Sequence, residues 1–419
     1  MENALQVNRK RLEKNLYELS KIGKSEQGGI NRALGSRAER EARRWLAAYW
    51  AAHLHQQVQT DPIANMWVVR PGTACRARIA CGSHHDTVTE GGMYDGAMGV
   101  LLATEVLETL EERRVATRHP FAAVSFTGEE PNPFNVSTLG SKVLSGRLHR
   151  ADLEPLKNAA TQEPLATAIA EIGGDITRAD QALLNPGDVC AFVECHIEQG
   201  RRLFDRHLSL ATVREITGIY RENILVLGEA NHAGTTVMRD RHDALLAAGE
   251  LNLAFEEAVR ALGSDEVVGT IGQFTVHPNS VNIIPGRVEL VLEIRTCEPA
   301  VKREMIAAVD RAAERISARR AVQFQRTVNL DQPAVPMSPV VQDALRRAIL
   351  PLQPACELLS MAGHDAANIA RRTQAGMLFV QSLGGKSHCA GEDTRMDDIE
   401  KAGNVLLHAL LALDKELKE

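Results

Sequence analysis

Four short apolar runs, separated by segments with helical spacing, constrain the fold of this 419-residue chain more than any other feature. The runs are Arg78–Cys81, Phe121–Phe126, Val189–Val193 and Met377–Val380, and Val100–Glu112 is one of the helical segments between them. Continuous apolar strands that alternate with helices are typical of a buried, mostly parallel sheet. The sequence therefore predicts an α/β fold.

Residues 214–331 depart from this alternation and predict a second domain. The predicted strands are Asn223–Leu227, Val267–Val276, Arg287–Arg295 and Ala321–Thr327, and the predicted helices are Asp243–Leu262 and Ala300–Ala318. The order strand–helix–strand–strand–helix–strand is that of a ferredoxin-like α+β domain. Because an α/β pattern resumes at residues 339–419, we interpret residues 214–331 as an insertion into a first domain formed by residues 1–213 and 332–419.

Composition and charge exclude several classes of protein. The chain carries 48 Lys and Arg against 54 Asp and Glu, a net charge of −6, and it has no basic stripe, which argues against a nucleic-acid partner. No apolar run reaches the roughly 18 residues that a membrane span needs, and the N-terminal segment lacks the apolar region of a signal peptide. Seven scattered cysteines without a C-x-x-C pair fit reduced thiols. These features predict a cytoplasmic enzyme.

Each predicted strand of the first domain runs into histidine or carboxylate side chains. These residues are His84 and Asp86, Glu129 and Glu130, Glu194 and His196, and His388. The carboxyl ends of parallel strands line one crevice, so we expect these side chains to converge there. Imidazole and carboxylate ligands suit borderline divalent metals, and the glycine-flanked Asp95 is the candidate for a carboxylate that bridges two cations. Any one of these residues could instead be a hydrogen-bonded core or surface residue, so the prediction depends on their repeated placement at strand ends.

Seven sequence blocks extend this pattern across nearly the whole chain. They are GSHHDTVTEGGMYDGAMGV (82–100), FTGEE (126–130), ECHIEQG (194–200), GEANHAGTTVMRDRHDA (228–244), NSVNIIPGRVELVLEIR (279–295), AGHDA (362–366) and GKSHCAGED (385–393). In these blocks the chain resembles the dinuclear-metal amidohydrolases. That family comprises N-carbamoyl-L-amino-acid hydrolases, allantoate amidohydrolases and β-ureidopropionases, and it is related to aminoacylases and carboxypeptidase-type metallopeptidases. The resemblance implies a metallohydrolase catalytic domain with an inserted lid and dimerisation domain.

The resemblance also implies a metal site with two divalent cations per subunit. The ligands that it assigns are His84, Asp95, Glu130, His196 and His388, with Asp95 as the bridge. Zinc, manganese, cobalt and nickel all accept imidazole and carboxylate ligands of this kind.

Three catalytic roles follow from the same resemblance. Glu129 takes the position of the general base, which accepts a proton from water and later protonates the leaving nitrogen. Asp86 matches the acid that orients the ligand His84 and fixes its tautomer. His232 matches the residue that stabilises the oxyanion of the tetrahedral intermediate.

Five further positions match residues that hold the substrate. They are Arg221, Asn282, Arg295, Gly363 and Gln199. A guanidinium suits a bidentate grip on a substrate carboxylate, although either arginine could instead form a surface salt bridge. The loop Pro131–Phe134 departs from the family pattern of Gly, a variable residue and Arg-Phe, which leaves the shape of the pocket open.

The activity that the resemblance implies is hydrolysis of a linear C–N bond in a small-molecule substrate that bears a carboxylate. The leading prediction is conversion of an N-carbamoyl-L-amino acid to the amino acid, ammonia and carbon dioxide. Allantoate or ureidoglycolate hydrolysis is one alternative, N-acyl-amino-acid deacylation or dipeptide cleavage is another, and an inactive metal-dependent binding protein is an alternative from a different class. A homodimer through the inserted domain is also implied, in which His232, Asn282 and Arg295 act in the partner's active site or in their own.

Overall fold

The computed structural model describes residues 5–418 and contains two compact units. The first unit comprises the chain up to Arg214 and from Met337 onwards, and the second comprises Glu215–Pro336. No helix within residues 5–418 is long and apolar enough to cross a membrane.

Both units contain strands and helices. The strands are β1 (Gln59–Thr60), β2 (Met66–Arg70), β3 (Arg78–His84), β4 (Phe121–Phe126), β5 (Val189–Ile197), β6 (Leu210–Ile216), β7 (Gly218–Leu227), β8 (Asn231–His232), β9 (Val267–His277), β10 (Ile283–Ile284), β11 (Arg287–Thr296), β12 (Gln323–Gln332), β13 (Val335–Pro336), β14 (Glu357–Ser360) and β15 (Gln374–Val380). The α-helices are α1 (Arg9–Ser20), α2 (Arg37–His53), α3 (Ala97–Glu112), α4 (Leu139–Leu144), α5 (Arg150–Leu153), α6 (Leu165–Glu171), α7 (Arg202–Asp205), α8 (Ala244–Ala261), α9 (Pro299–Arg320), α10 (Pro339–Ile349), α11 (Asp365–Ile369) and α12 (Met396–Glu416). Short 3₁₀ segments lie at Ile176–Ala182, Met238–Asp240 and Leu383–Gly385.

A single sheet with the strand order β1-β2-β4-β3-β5-β15-β6 forms the centre of the first unit. Its four middle strands, β4, β3, β5 and β15, are parallel, which confirms the parallel sheet that the apolar runs predict. The strands β2 and β6 flank them in antiparallel orientation, and the four apolar runs do not include these flanking strands. Because the middle strands all point the same way, their carboxyl ends lie at one edge of the sheet.

The buried helix α3 links this sheet to the candidate site. Every residue from Ala97 to Leu110 is buried, and the helix packs in one hydrophobic core with the sheet, α1, α2 and α12. A helix that is apolar on most sides is stable only when it is covered on most sides. Since α3 begins directly after Asp95 and Gly96, its packing fixes the position of the candidate bridging carboxylate.

The second unit is a four-stranded antiparallel sheet with the order β12-β7-β11-β9. The helices α8 and α9 cover one face, where alternate strand residues such as Ile224, Val226, Leu290 and Leu292 form the core. Asp243 caps α8 by accepting the N–H groups of the first turn. The order of elements confirms the ferredoxin-like arrangement that the sequence predicts.

The end of the second unit differs from the sequence-based boundary at residue 331. The strand β12 continues to Gln332, whereas the apolar pattern predicts a strand that ends at Thr327. Beyond Thr327 the apolar residues Val328 and Leu330 alternate with polar residues and neither is buried, so no continuous apolar run marks the end of the strand. After β12, the residues of β13 pair with the last two residues of β6, so the two connections of the second unit run side by side.

Candidate metal centre

Two histidines from neighbouring parallel strands face the carboxylate of Asp95. His84 is the last residue of β3, and His196 lies next to the end of β5. Asp95 Oδ1 lies 3.6 Å from His84 Nε2 and 3.1 Å from His196 Nε2, and all three residues are buried. This first ligand group therefore forms at the sheet edge where the sequence predicts a metal site.

A second ligand group forms on the other oxygen of the same carboxylate. Asp95 Oδ2 lies 3.4 Å from His388 Nε2, and that nitrogen lies 3.5 Å from Glu130 Oε1. In each group the candidate ligand atoms lie within 4.8 Å of one another. The structure thus brings together all five residues that the sequence assigns as ligands, and Asp95 belongs to both groups.

The close packing at His84 explains why a glycine precedes α3. Gly96 has a φ of +62°, and a Cβ at this position would lie 2.3 Å from the His84 ring. A side chain would therefore displace the imidazole as well as strain the backbone.

Backbone carbonyl groups orient both histidine rings of the first group. His84 Nδ1 lies 3.0 Å from the carbonyl oxygen of Asp86, and His196 Nδ1 lies 2.9 Å from that of Ile197. A carbonyl oxygen can only accept, so each Nδ1 carries a proton, and Nε2 is left as the ring nitrogen that can bind a cation.

The carboxylate of Asp86 holds the segment that carries Glu129 and Glu130. Its two oxygens accept the backbone N–H groups of Glu129 at 3.3 Å and Glu130 at 3.1 Å. The carboxylate is farther from His84, with Oδ1 3.7 Å from Nδ1. In this structure Asp86 therefore contacts His84 chiefly through its carbonyl group and positions the two glutamates through its side chain.

Burial and charge shift the pKa values of this cluster. Burial lowers the pKa of His84 to about 4. Burial also opposes the charge on His196, but the carboxylates of Asp95 and Glu194 together outweigh it and raise the pKa of His196 to about 9. Burial and the Asp95 charge raise the pKa of Glu130 to about 8. Burial and the Glu130 charge raise the pKa of Glu129 well above its usual value. The cluster therefore holds more buried acidic groups than its histidines can balance, and divalent cations would supply the balancing charge.

The donor set fits two divalent cations that share Asp95. Among the described residues, the buried Oε1 atom of Glu130 accepts no hydrogen bond, although buried carboxylate oxygens normally have a partner. Imidazole nitrogens and carboxylate oxygens are ligands that zinc, manganese, cobalt and nickel accept.

The remaining predicted residues of the first unit lie around this cluster or near it. Glu129 is buried, and its Oε2 atom lies 3.6 Å from His84 Nε2. The side-chain amide of Gln199 lies 2.7 Å from Asp95 Oδ2 and 3.2 Å from His388 Nε2, so it contacts two candidate ligands. Gly363 is exposed in the loop between β14 and α11, with open space where a Cβ would lie.

Two predicted residues of the second unit lie on the ribbon formed by β8 and β10. His232 pairs with Ile283, and its exposed ring accepts the backbone N–H groups of Gly234 and Thr235 at Nδ1, at 3.0 and 3.2 Å. A neutral ring with Nδ1 as acceptor carries its proton on Nε2, which can therefore donate a hydrogen bond. Asn282 directly precedes β10 and is exposed.

The two predicted arginines of the second unit both contact Glu293. Arg221 directs Nε and Nη2 to Glu293 Oε2, and Arg295 Nε donates to Glu293 Oε1 at 2.6 Å. The salt bridge that the sequence leaves open for these arginines is therefore present, and their role in binding substrate stays a prediction.

Three further buried carboxylates surround the cluster, namely Glu194, Asp365 and Glu392. Glu194 accepts hydrogen bonds from Ser83 Oγ and from the backbone N–H of Ala366, each at 2.8 Å. The strand-end pattern of the sequence points to Glu194 but not to Asp365 and Glu392, which lie at the start of α11 and in a loop. All three lie inside the sequence blocks that carry the resemblance, and this is the signal that could have identified Asp365 and Glu392.

Comparison with known proteins identifies the family. The sequence model of peptidase family M20/M25/M40 matches residues 80–412. This chain belongs to that family. Within it, the chain is similar to the N-carbamoyl-L-amino acid amidohydrolase of Geobacillus stearothermophilus, with 36% identity over 406 residues that cover 96% of this chain and 98% of the relative.

Two further comparisons agree with this membership of the M20/M25/M40 family. The allantoate amidohydrolase of Bacillus subtilis (strain 168) is 33% identical over 411 residues, which cover 94% of this chain and 95% of the relative. The crystal structure of an amidase of the hydantoinase/carbamoylase family from Burkholderia multivorans has a TM-score of 0.87 at 31% identity, and the match covers 99% of this chain and 100% of that one. These similarities confirm the resemblance that the sequence blocks indicate.

Proposed function

We propose that this chain is a metal-dependent amidohydrolase that cleaves the carbamoyl C–N bond of N-carbamoyl-L-amino acids and releases the amino acid, ammonia and carbon dioxide. The observation that carries this proposal is the Asp95 carboxylate shared by two ligand groups, with the Glu129 carboxylate beside them. Paired cations next to a proton acceptor suit hydrolysis of an unactivated amide. The similarity to the Geobacillus stearothermophilus enzyme favours the carbamoyl substrate.

In this proposal the two ligand groups each hold one divalent cation, either zinc, manganese, cobalt or nickel. When bound, the cations polarise the substrate carbonyl and lower the pKa of water. Glu129 accepts the proton of the attacking water and then delivers it to the leaving nitrogen. Asp86 keeps Glu129 in place through the backbone hydrogen bond described above.

The inserted unit supplies the residues that bind the substrate in this proposal. The Nε2–H group of His232 stabilises the oxyanion, and Asn282 and Arg295 hold the substrate carboxylate. Arg221 directs two nitrogens to Glu293, so it contributes only when this ion pair opens.

Two residues of the first unit complete the proposed substrate site. Gly363 presents backbone to the substrate from its exposed loop, and the amide of Gln199 lies beside both ligand groups.

Allantoate or ureidoglycolate hydrolysis is the second candidate function. The similarity to the allantoate amidohydrolase of Bacillus subtilis, over 94% of this chain, favours it. Both candidates use the same ligand groups and Glu129, so they differ in the substrate and not in the chemistry.

An activity screen of the metal-reconstituted protein separates these candidates. N-carbamoyl amino acids should release ammonia together with a free amino acid, whereas N-acyl amino acids and dipeptides would release a free amine without ammonia. Allantoate would also release ammonia, so the two candidates are separated by which of the two substrates the protein hydrolyses faster. The Glu129→Gln variant, prepared in parallel, shows whether a contaminating enzyme causes the signal. A protein that binds metal and turns over none of these substrates would support the inactive binding protein instead.

We also propose that the protein is a cytoplasmic homodimer that forms through the inserted unit. The helix α8 exposes Leu246 and Leu253, and the edge strand β9 exposes Phe274 on the sheet face that the helices cover. A second copy that covers these apolar side chains would remove them from water. All seven cysteines are free thiols, which fits a reducing compartment. Light scattering of the wild type and of Leu253→Glu tests the dimer, since the charged variant should be monomeric.

A further inference from the structure

Glu392 connects the loop that carries Asp95 to the loop that carries His388. Its Oε1 atom accepts the backbone N–H groups of Tyr94 and Asp95, each at 3.0 Å. The residue is 6% exposed, and it follows His388 by four positions in the sequence. The buried Oε1 atom of Glu392, in the loop of the candidate ligand His388, therefore fixes the backbone of the candidate ligand Asp95, which lies 297 positions away in the sequence.

The second carboxylate oxygen of Glu392 reaches the same ligand through a hydroxyl group. Glu392 Oε2 lies 2.9 Å from Ser387 Oγ, and that hydroxyl also lies 2.9 Å from Asp95 Oδ2. Glu392 therefore contacts the backbone of Asp95 and also the hydroxyl that contacts its carboxylate. Because Asp95 belongs to both ligand groups, a shift of this one residue changes both.

The Glu392 carboxylate packs directly against Gly92, where only a residue without a side chain fits. A Cβ at position 92 would lie 2.0 Å from Oε1 and 2.1 Å from Cδ of Glu392. Non-bonded carbon and oxygen atoms do not approach so closely, so a side chain at position 92 would push the carboxylate away from the backbone of Asp95.

We propose that Glu392 is a positioning residue that sets the orientation of Asp95 and thereby the metal affinity of both ligand groups. Removal of a group that hydrogen-bonds to a metal ligand and so orients it typically weakens metal affinity about 10- to 100-fold. The inference rests on the proposed function, because it assumes that the two groups bind metal. It concerns metal affinity, however, and not the identity of the substrate.

The test measures Zn²⁺ affinity by competition with a chromophoric chelator. We expect Glu392→Ala to bind Zn²⁺ about 10- to 100-fold more weakly than the wild type. Glu392→Gln should recover most of this loss, because the amide oxygen can accept both N–H groups and the amide nitrogen can donate to Ser387. The Gly92→Ala variant retains Glu392 but displaces its carboxylate, so this variant should also bind Zn²⁺ more weakly. It provides a second test if Glu392→Ala does not fold.

Asp414→Ala is the matched control for the loss of a buried carboxylate. Asp414 accepts the backbone N–H groups of Arg118 and His119 at 2.9 and 2.7 Å, and it belongs to neither ligand group. This variant should lower thermal stability without a change in Zn²⁺ affinity.

Two results would overturn the role of Glu392. The first is a Glu392→Ala protein with the Zn²⁺ affinity of the wild type, and the second is a Glu392→Gln protein that binds as weakly as Glu392→Ala. A wild type that binds no Zn²⁺ would overturn the proposed metal centre as well. The wild type could also bind Zn²⁺ more tightly than Glu392→Ala and yet hydrolyse no tested substrate. That result would support the role of Glu392 and contradict the proposed activity.

Discussion

The substitution Glu129→Gln tests whether the carboxylate beside the ligand Glu130 transfers a proton. Glu129 is buried, its Oε2 atom lies 3.6 Å from His84 Nε2, and Asp86 holds its backbone. The amide has nearly the same shape as the carboxylate, so the packing should persist, but it cannot accept a proton. Loss of a general base typically lowers kcat by roughly 10²–10⁴, which corresponds to about 3–5 kcal/mol of transition-state stabilisation.

Two measurements on the same preparation test this prediction. The rate of ammonia release gives kcat, and elemental analysis gives the metal content. Glu129→Gln should keep the metal content of the wild type, whereas the control Glu130→Gln should lose metal because Glu130 is a proposed ligand. Residual activity above about a tenth of the wild type, with full metal content, would refute the role of Glu129 as a general base.

Three further predictions concern a ligand, the acid stability and the assembly. His388→Ala should bind less metal yet keep its circular dichroism spectrum, because its group loses one of few ligands; unchanged metal stoichiometry would refute the assignment. Burial opposes ionisation of Glu39, but the charge of Arg43 lowers the pKa of Glu39 from 4.5 to about 2. The ionised pair therefore adds about 3 kcal/mol to the free energy of unfolding above pH 4.5, and this contribution is lost as the pH falls towards 2. Denaturant unfolding should therefore show an advantage of the wild type over Glu39→Gln that is smaller at about pH 3 than at about pH 6, and an advantage independent of pH would contradict this. If the partner subunit supplies His232, mixing inactive His232→Ala with inactive Glu129→Gln should restore roughly a quarter of the wild-type activity per site. The reason is that about half of the dimers are then heterodimers, and one of the two sites in each heterodimer is intact. No recovery after proven subunit exchange would mean that both residues act within one chain.

Apolar periodicity predicts the buried elements of this fold and fails where an element is polar. Each middle strand of the central sheet contains one of the four apolar runs, so its position follows from the sequence. The strand β5 continues beyond its predicted end at Val193 to Ile197, because it includes the polar residues Glu194 and His196. The strand β12 has no buried residue beyond Thr327, and only the single apolar residues Val328 and Leu330 interrupt its polar residues there, so no apolar run marks its end.

Residue types and strand ends predict which side chains converge, but they do not predict the hydrogen bonds among them. Arg221 and Glu293 lie 72 positions apart and meet because the register of β7 and β11 places them opposite each other. Glu392 and Asp95 lie 297 positions apart and meet only through the folding of two loops. Contacts of this kind depend on the tertiary structure, and single-sequence patterns contain no information about them.

Ammonia release from an N-carbamoyl-L-amino acid, measured while metal is titrated back into the chelator-treated protein, tests whether hydrolysis depends on cations held by the two ligand groups. The shared Asp95 and its two ligand groups predict no ammonia without metal and a plateau of activity at two divalent cations per chain. Turnover that survives complete removal of metal, or the absence of ammonia at every metal loading, would contradict metal-dependent hydrolysis of this substrate.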